Sequence, residues 1–153
     1  MTIAERELFH GAALAQIIRA NDEGACVRAS ERSQSLYLLA ENVGLYIKYS
    51  KNRLSPWKFG FPSVQRNEVE SALAGGLRAM LICLVCERDG FVGLTYDEFV
   101  LLMPNEVDRT GTIYVTRRRQ RLYSVRGSGG GLKHKVSSSR FVDLSMQLIS
   151  GGQ

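Results

Sequence analysis

Val43-Gly-Leu-Tyr-Ile-Lys-Tyr-Ser50 carries β-branched and aromatic residues at the density of a strand, with a single cation, Lys48, inside it. An unpaired ammonium out of water is costly, so a lysine among aromatic neighbours needs a partner or a task. Lys51 to Pro56 follows as a loop, because proline lacks an amide donor and biases Ser55 away from helix. Trp57-Lys-Phe-Gly-Phe61 is then extended and sets Trp57, Phe59 and Phe61 on one face. Such a stripe fills a core more readily than it stacks on bases.

Upstream, Thr2-Ile-Ala-Glu5 has the capping-box pattern, and Leu8, Ala12, Ala15 and Ile18 recur at helical spacing. The helix is expected to run to about Ala20, with Asn21 as its stop. Gly24 opens a short strand over 25–29, and Ser35 to Ala40 is a second that pairs with 43–50 as a hairpin through the turn residues 41–44. Downstream, 67–73 reads as a helix closed by Gly75-Gly76. Leu77 to Cys86 is a near-continuous apolar run, the mark of a central strand covered on both faces. Thr95-Tyr-Asp-Glu98 repeats the N-cap pattern before a third helix ended by Pro104. Thr112–Arg117 and Arg121–Arg126 form a hairpin, and Gly127-Ser-Gly-Gly-Gly131 a flexible turn without the spacing of a phosphate loop. Leu132 to Val136 adds an edge strand and Phe141 to Leu148 a short helix. The expected class is α+β: an N-terminal helix, then a mixed, mostly antiparallel sheet with helices, over residues 1–153 as one globular domain.

Length and composition narrow the class further. At 153 residues, 44% hydrophobic and 23% charged, the chain is large enough to bury a core and is not of disordered composition. No apolar run approaches the roughly 18 to 20 residues needed to span a bilayer, and charged residues interrupt the N-terminus where a signal core would lie. The expectation is a cytoplasmic protein with no membrane partner. Cys26, Cys83 and Cys86 are an odd set, which argues against a disulfide framework. Cys83 and Cys86 end an apolar strand and point to opposite faces, so they read as buried thiols rather than a zinc or redox pair.

Charge is distributed unevenly. From Thr110 to Val142 there is no acid, while Arg117, Arg118, Arg119, Arg121, Arg126, Lys133, Lys135 and Arg140 are basic. Such asymmetry suits contact with an anionic polymer, although a solvated hairpin face would carry the same residues.

The order helix, three antiparallel strands, helix, central strand over about residues 3 to 86, with Lys48 on the third strand, resembles the PD-(D/E)XK nuclease superfamily. That resemblance implies a restriction-endonuclease-like core and Mg²⁺-dependent phosphodiester hydrolysis, with Lys48 positioning or activating the attacking water. The family's acid two residues before the lysine is Tyr46 here, a poor Mg²⁺ ligand at neutral pH, so the motif is degenerate. A displaced acid could come from Glu68 or Glu70 on the following helix, with Glu41 and Glu7 as further oxygen donors. The catalytic candidates are then Lys48, Glu41 and Glu68, and the metal candidates Glu41, Glu68 and Glu7. Lys48 could equally be structural, paired with a carboxylate such as Glu41 or reaching to water. The chain is also similar to short uncharacterised bacterial proteins sharing Ile47-Lys-Tyr-Ser50, Ser55-Pro-Trp57 and Leu84-Val-Cys86 with Asp89-Gly90. That similarity implies a bacterial or phage-associated source and no particular activity.

Two functions follow as expectations. One is a nuclease-like protein acting on DNA or RNA, with Lys51 and Arg53 facing phosphate and Arg117, Arg118, Arg119 and Arg121 extending the groove. The other is a non-catalytic module that contacts nucleic acid, a protein partner or a second copy of itself through the basic hairpin.

Overall fold

The computed structural model describes residues 2–21, 26–106 and 108–151. Helix α1 (Glu5–Ala20) is followed by three antiparallel strands, β1 (Val27–Ala29), β2 (Leu36–Leu39) and β3 (Val43–Ser50). The positions at 24 and 25 that were expected to open the first strand lie outside the described residues. Strand β4 (Trp57–Phe61) leaves this sheet, and α2 (Ser63–Ala74) leads back into β5 (Ala79–Cys86), which pairs parallel to β3 from Val43↔Ala79 to Ser50↔Cys86. Strand β6 (Gly90–Thr95) completes a five-stranded sheet of order β1-β2-β3-β5-β6. Helix α3 (Tyr96–Leu102), strands β7 (Gly111–Thr116) and β8 (Ser124–Gly127), and helix α4 (Arg140–Ser150) follow. A second, wholly antiparallel sheet has the order β4-β7-β8. The protein is α+β with a mixed, mostly antiparallel strand arrangement, as the sequence predicts.

Two apolar clusters lie on opposite faces of the five-stranded sheet. Alternation along β3 and β5 sends Leu45, Ile47, Leu81 and Cys83 to one side, where α1 and α4 cover them through Ala13, Ile17, Phe141 and Leu144. Tyr46, Ile82 and Leu84 go to the other, onto the three-stranded sheet, α2 and α3. With both faces covered, β5 must be apolar throughout, which is why its sequence shows no period. The aromatic stripe is core: Trp57, Phe59 and Phe61 point inward from β4. Burying each such side chain contributes roughly 1.5–3 kcal/mol. Cys83 and Cys86 are buried on opposite faces, and burial pushes both thiols well up, so neither is a ready thiolate.

Several local expectations change. Helix α1 begins at Glu5 with Ala4 at the cap and no side-chain cap bond, so Thr2 and Glu5 do not form the expected box. Asn21 does end the helix, its amide N–H bonding Ile17 O. Helix α2 starts at Ser63, four residues early, because Pro62 fits the entry of a helix that needs no N–H there. At α3 the expected capping box is complete: Thr95 Oγ accepts from Glu98 N at 3.2 Å, and Thr95 N donates to Glu98 Oε1 at 3.0 Å. The run Gly127–Gly131 is a packed element rather than a flexible turn. A Cβ at Gly129 would lie 1.9 Å from Met103 O, and one at Gly127 2.1 Å from Leu102 O, so only glycine lets this backbone close over the end of α3.

Candidate nucleic-acid interface and the Lys48 recess

Residues 46 and 48 of β3 project together toward α2, and positions 65 and 68, one helical turn apart, meet them. Tyr46 Oη donates to Glu68 Oε2 at 2.7 Å and Lys48 Nζ donates to Gln65 Oε1 at 2.5 Å. The match follows from geometry: strand residues i and i+2 are about 6.6 Å apart, helix residues i and i+3 about 4.5 Å along the axis. The Lys48 ammonium also lies over the Phe61 ring, 5.2 Å from its centroid. Burial lowers its pKa, opposed by the charge of Glu68. Burial and the Glu68 hydrogen bond drive the Tyr46 phenol well above its ordinary value, so it stays a protonated donor.

The other expected donors lie elsewhere. Glu41 is exposed in the turn before β3, seven residues from Lys48 and so about 23 Å away along an extended strand. Glu7 is on α1, which covers the opposite face of the sheet. Glu70 acts electrostatically on Tyr96, not on Lys48. Leu36, buried on β2, directly faces Tyr46. Among the described residues no group of three or more His, Cys, Asp or Glu is placed to hold a metal ion. One carboxylate capped by a phenol, beside a leucine, does not fit Mg²⁺, which takes oxygen ligands in near-ideal octahedral geometry. Of the residues expected to form a centre, the structure brings together Lys48 and Glu68 alone.

The basic hairpin is built differently. Arg117 is its anchor: Nη1 donates to Asp89 Oδ2 at 2.8 Å and to Tyr123 Oη at 3.1 Å, and Nε donates to Arg121 O at 2.6 Å. Its guanidinium lies over the Tyr123 ring, 4.6 Å from the centroid. Tyr123 Oη in turn donates to Asp89 Oδ2 at 2.6 Å, and burial with that bond keeps the phenol protonated. Arg117 N reaches Ser55 Oγ at 3.0 Å, fastening β7 to the loop before β4. Asp89 comes from the turn between β5 and β6, so the clamp joins both sheets.

With Arg117 held, the remaining cations point into solvent around three connected hollows. One, of about 700 Å³, has Arg53, Arg118 and Arg119 on its wall. A second, of about 810 Å³, shares Ser55, Arg117 and Arg118 with it and adds Arg121 and Lys135. A third, of about 240 Å³, shares Thr116, Ser124 and Lys135 with the second and adds Arg126 and Lys133. The only carboxylate lining them among the described residues is Asp89, already paired with Arg117. Among the described residues no ion pair engages Arg53, Arg118, Arg119, Arg121, Arg126, Lys133 or Lys135. Lys51 stands apart, 3.7 Å from Glu5 on the α1 side.

The sequence reading missed the hydroxyl floor of this groove (Ser55, Thr116, Ser124), and it expected 132–136 as an edge strand without placing Lys133 and Lys135 in the groove. That segment hydrogen-bonds along β8 through Leu132 N to Val125 O and the Tyr123–Val136 bridge. With 132–136 read as extended, Lys133 and Lys135 at i and i+2 share one face, and that spacing is the signal that could have placed them beside Arg121. Comparison of the chain with protein-family models, with curated proteins and with solved structures returns no match.

Proposed function

We propose that this protein is a non-catalytic nucleic-acid-binding module that holds the phosphate backbone along the groove between Arg53 and Lys133. The observation that carries this reading is a run of connected hollows whose cations, Arg117 apart, take part in no ion pair among the described residues, and whose one lining acid there, Asp89, is paired with Arg117. Phosphate contacts by arginine and lysine supply most of the affinity of such interfaces, and hydroxyls on the floor add donors to phosphate oxygens. The Arg117 clamp fixes the hairpin before any ligand arrives, so little ordering entropy is lost on binding.

A relation to the PD-(D/E)XK superfamily is compatible with the sheet order and with Lys48 on β3, and it supports descent from a nucleic-acid-binding fold. Hydrolysis is not part of this proposal, because the acid position two residues before Lys48 holds Tyr46 and the described residues bring no carboxylate but Glu68 beside it. Anisotropy titration of a fluorescein-labelled oligonucleotide between 20 and 200 mM KCl tests the reading. Binding is expected to weaken steeply with salt. The Arg118→Ala, Arg121→Ala double variant should bind at least 10-fold more weakly at low salt, with a slope about 1.4 units shallower if the strand is single. Lys48→Ala should bind as the parent does, and neither protein should cut the strand in Mg²⁺ or Mn²⁺. Cleavage that requires Lys48 would reinstate the nuclease reading.

A further inference from the structure

Nucleic acid can be held double- or single-stranded, and the outer face of the β4-β7-β8 sheet bears on which of the two it is. We propose that this face seats unpaired bases, with Tyr114 as the stacking platform, so that the polymer in the groove is single-stranded. The inference rests on the nucleic-acid reading above and names its substrate class.

The sheet register sets the argument. Lys58 pairs with Tyr114, and Tyr114 with Arg126, so one row across three strands reads cation, aromatic, cation. These side chains point outward, since Trp57, Phe59, Ile113, Val115 and Val125 of the same strands point into the core. Neighbouring strands are about 4.8 Å apart, which brings both cationic heads within reach of anything lying on the ring. The Arg126 guanidinium is already there, 5.5 Å from the Tyr114 centroid. The other outward positions are small, Gly60, Thr112, Thr116 and Ser124, so between its two flanking cations the half-buried ring stands on a low surface.

That surface is continuous with the groove. Thr116 and Ser124 lie one outward position along from Tyr114 and Arg126, and both line the hollows that carry Arg118, Arg121 and Lys135. A strand whose backbone follows those cations passes its bases over Tyr114. Bases of a duplex are stacked on each other and offer no free face to a side chain, whereas an unpaired base offers one whatever its identity. Charge complementarity favours an anionic occupant, because no acid stands at any of the outward positions of this row or its neighbours.

The test uses the full chain and three fluorescein-labelled probes: a mixed-sequence 15-mer, the same 15-mer as a duplex, and an abasic 15-mer with the same phosphates. The parent is expected to bind the single strand at least 5-fold more tightly than either of the others. Tyr114→Ala should remove that preference, a loss of about 5- to 100-fold on the single strand alone, with the salt slope unchanged, while Tyr114→Phe retains it. Tyr114→Leu, which keeps apolar bulk over the sheet, should fail as the alanine variant does and decides the matter if the alanine variant unfolds. Equal binding of strand and duplex, with no effect of Tyr114, would overturn the stacking inference and leave the groove reading standing. Absence of binding to every probe at 20 mM KCl would overturn both. Binding to phosphatidylserine vesicles with no preference for bases would also overturn the inference.

Discussion

His10 shows what one buried side chain does to the whole. It is 2% exposed on α1, hydrogen-bonded through Nδ1 to Tyr37 Oη at 2.8 Å and edge-on to Tyr37 and Tyr49. Burial, with help from the Arg6 charge, lowers its pKa to about 4. A base whose folded pKa lies below its unfolded value of 6.5 resists protonation in the native state alone. Stability is therefore whole above pH 6.5 and falls as pH drops toward 4, by up to about 3 kcal/mol. Urea midpoints of the parent should decline over that window, while those of His10→Gln should stay nearly level. Lys48 makes a second residue-level case. Its hydrogen bond goes to the neutral amide of Gln65, so Lys48→Met, of similar length, should change unfolding free energy by less than about 1 kcal/mol. A larger loss would mean that the ammonium has a stronger partner than Gln65. A lysine inside an aromatic strand was readable as a residue in need of company. The partner was not, because a glutamine on an amphipathic helix looks like any solvated position until the helix is placed.

Elements were legible where a local signal was not contested. The Thr95–Glu98 box forms, since α3 starts where its cap residue stands; the Thr2–Glu5 pattern does not, since α1 takes Glu5 itself as its first turn. Glu98 then does more than cap. Its Oε1 accepts from Arg140 Nη1 at 2.7 Å and its Oε2 sits 2.9 Å from His134 Nε2, joining α3 to α4 and to the segment beside β8. Burial would raise this carboxyl, but the Arg140 bond, the Thr95 amide and the charges of Arg140 and His134 together outweigh it and hold it below the usual range. The stability it supplies is present above about pH 4.5 and is lost as pH falls through the lower folded value. Glu98→Gln should cost about 1–2 kcal/mol at pH 7 and flatten the acid limb of the unfolding curve below pH 4.5. The glycine run at 127–131 could not be separated from a linker by composition. Its tightness depends on Leu102 and Met103, which arrive from another element. Gly129→Ala should therefore lower stability by at least about 2 kcal/mol in thermal denaturation, where a flexible turn would tolerate alanine.

At the scale of the molecule, the two sheets act as one body because side chains cross between their elements. Arg66 is the clearest: 5% exposed on α2, it donates Nη1 to the carbonyls of Glu106 and Arg109 at 2.9 and 2.7 Å and Nη2 to Pro104 O at 2.9 Å. Arg66→Met should destabilise by about 3 kcal/mol, since three carbonyls lose their donor together. Such long-range choices were hidden in the sequence. Nothing local tells a strand such as β4 to leave the hairpin beside it and join β7 across more than fifty residues. What could be read was the part governed by period and charge: the aromatic stripe, the apolar central strand and the acid-free stretch from Thr110 to Val142. One feature of the architecture bears on how the chain comes into being. The face of β5 and β6 under α4 is sealed by Phe141 and Leu144, at residues made after every strand is complete. During synthesis, Leu81 and Phe91 therefore stay partly uncovered until α4 clears the ribosomal tunnel, and that interval is when a chaperone has an oily surface to grip.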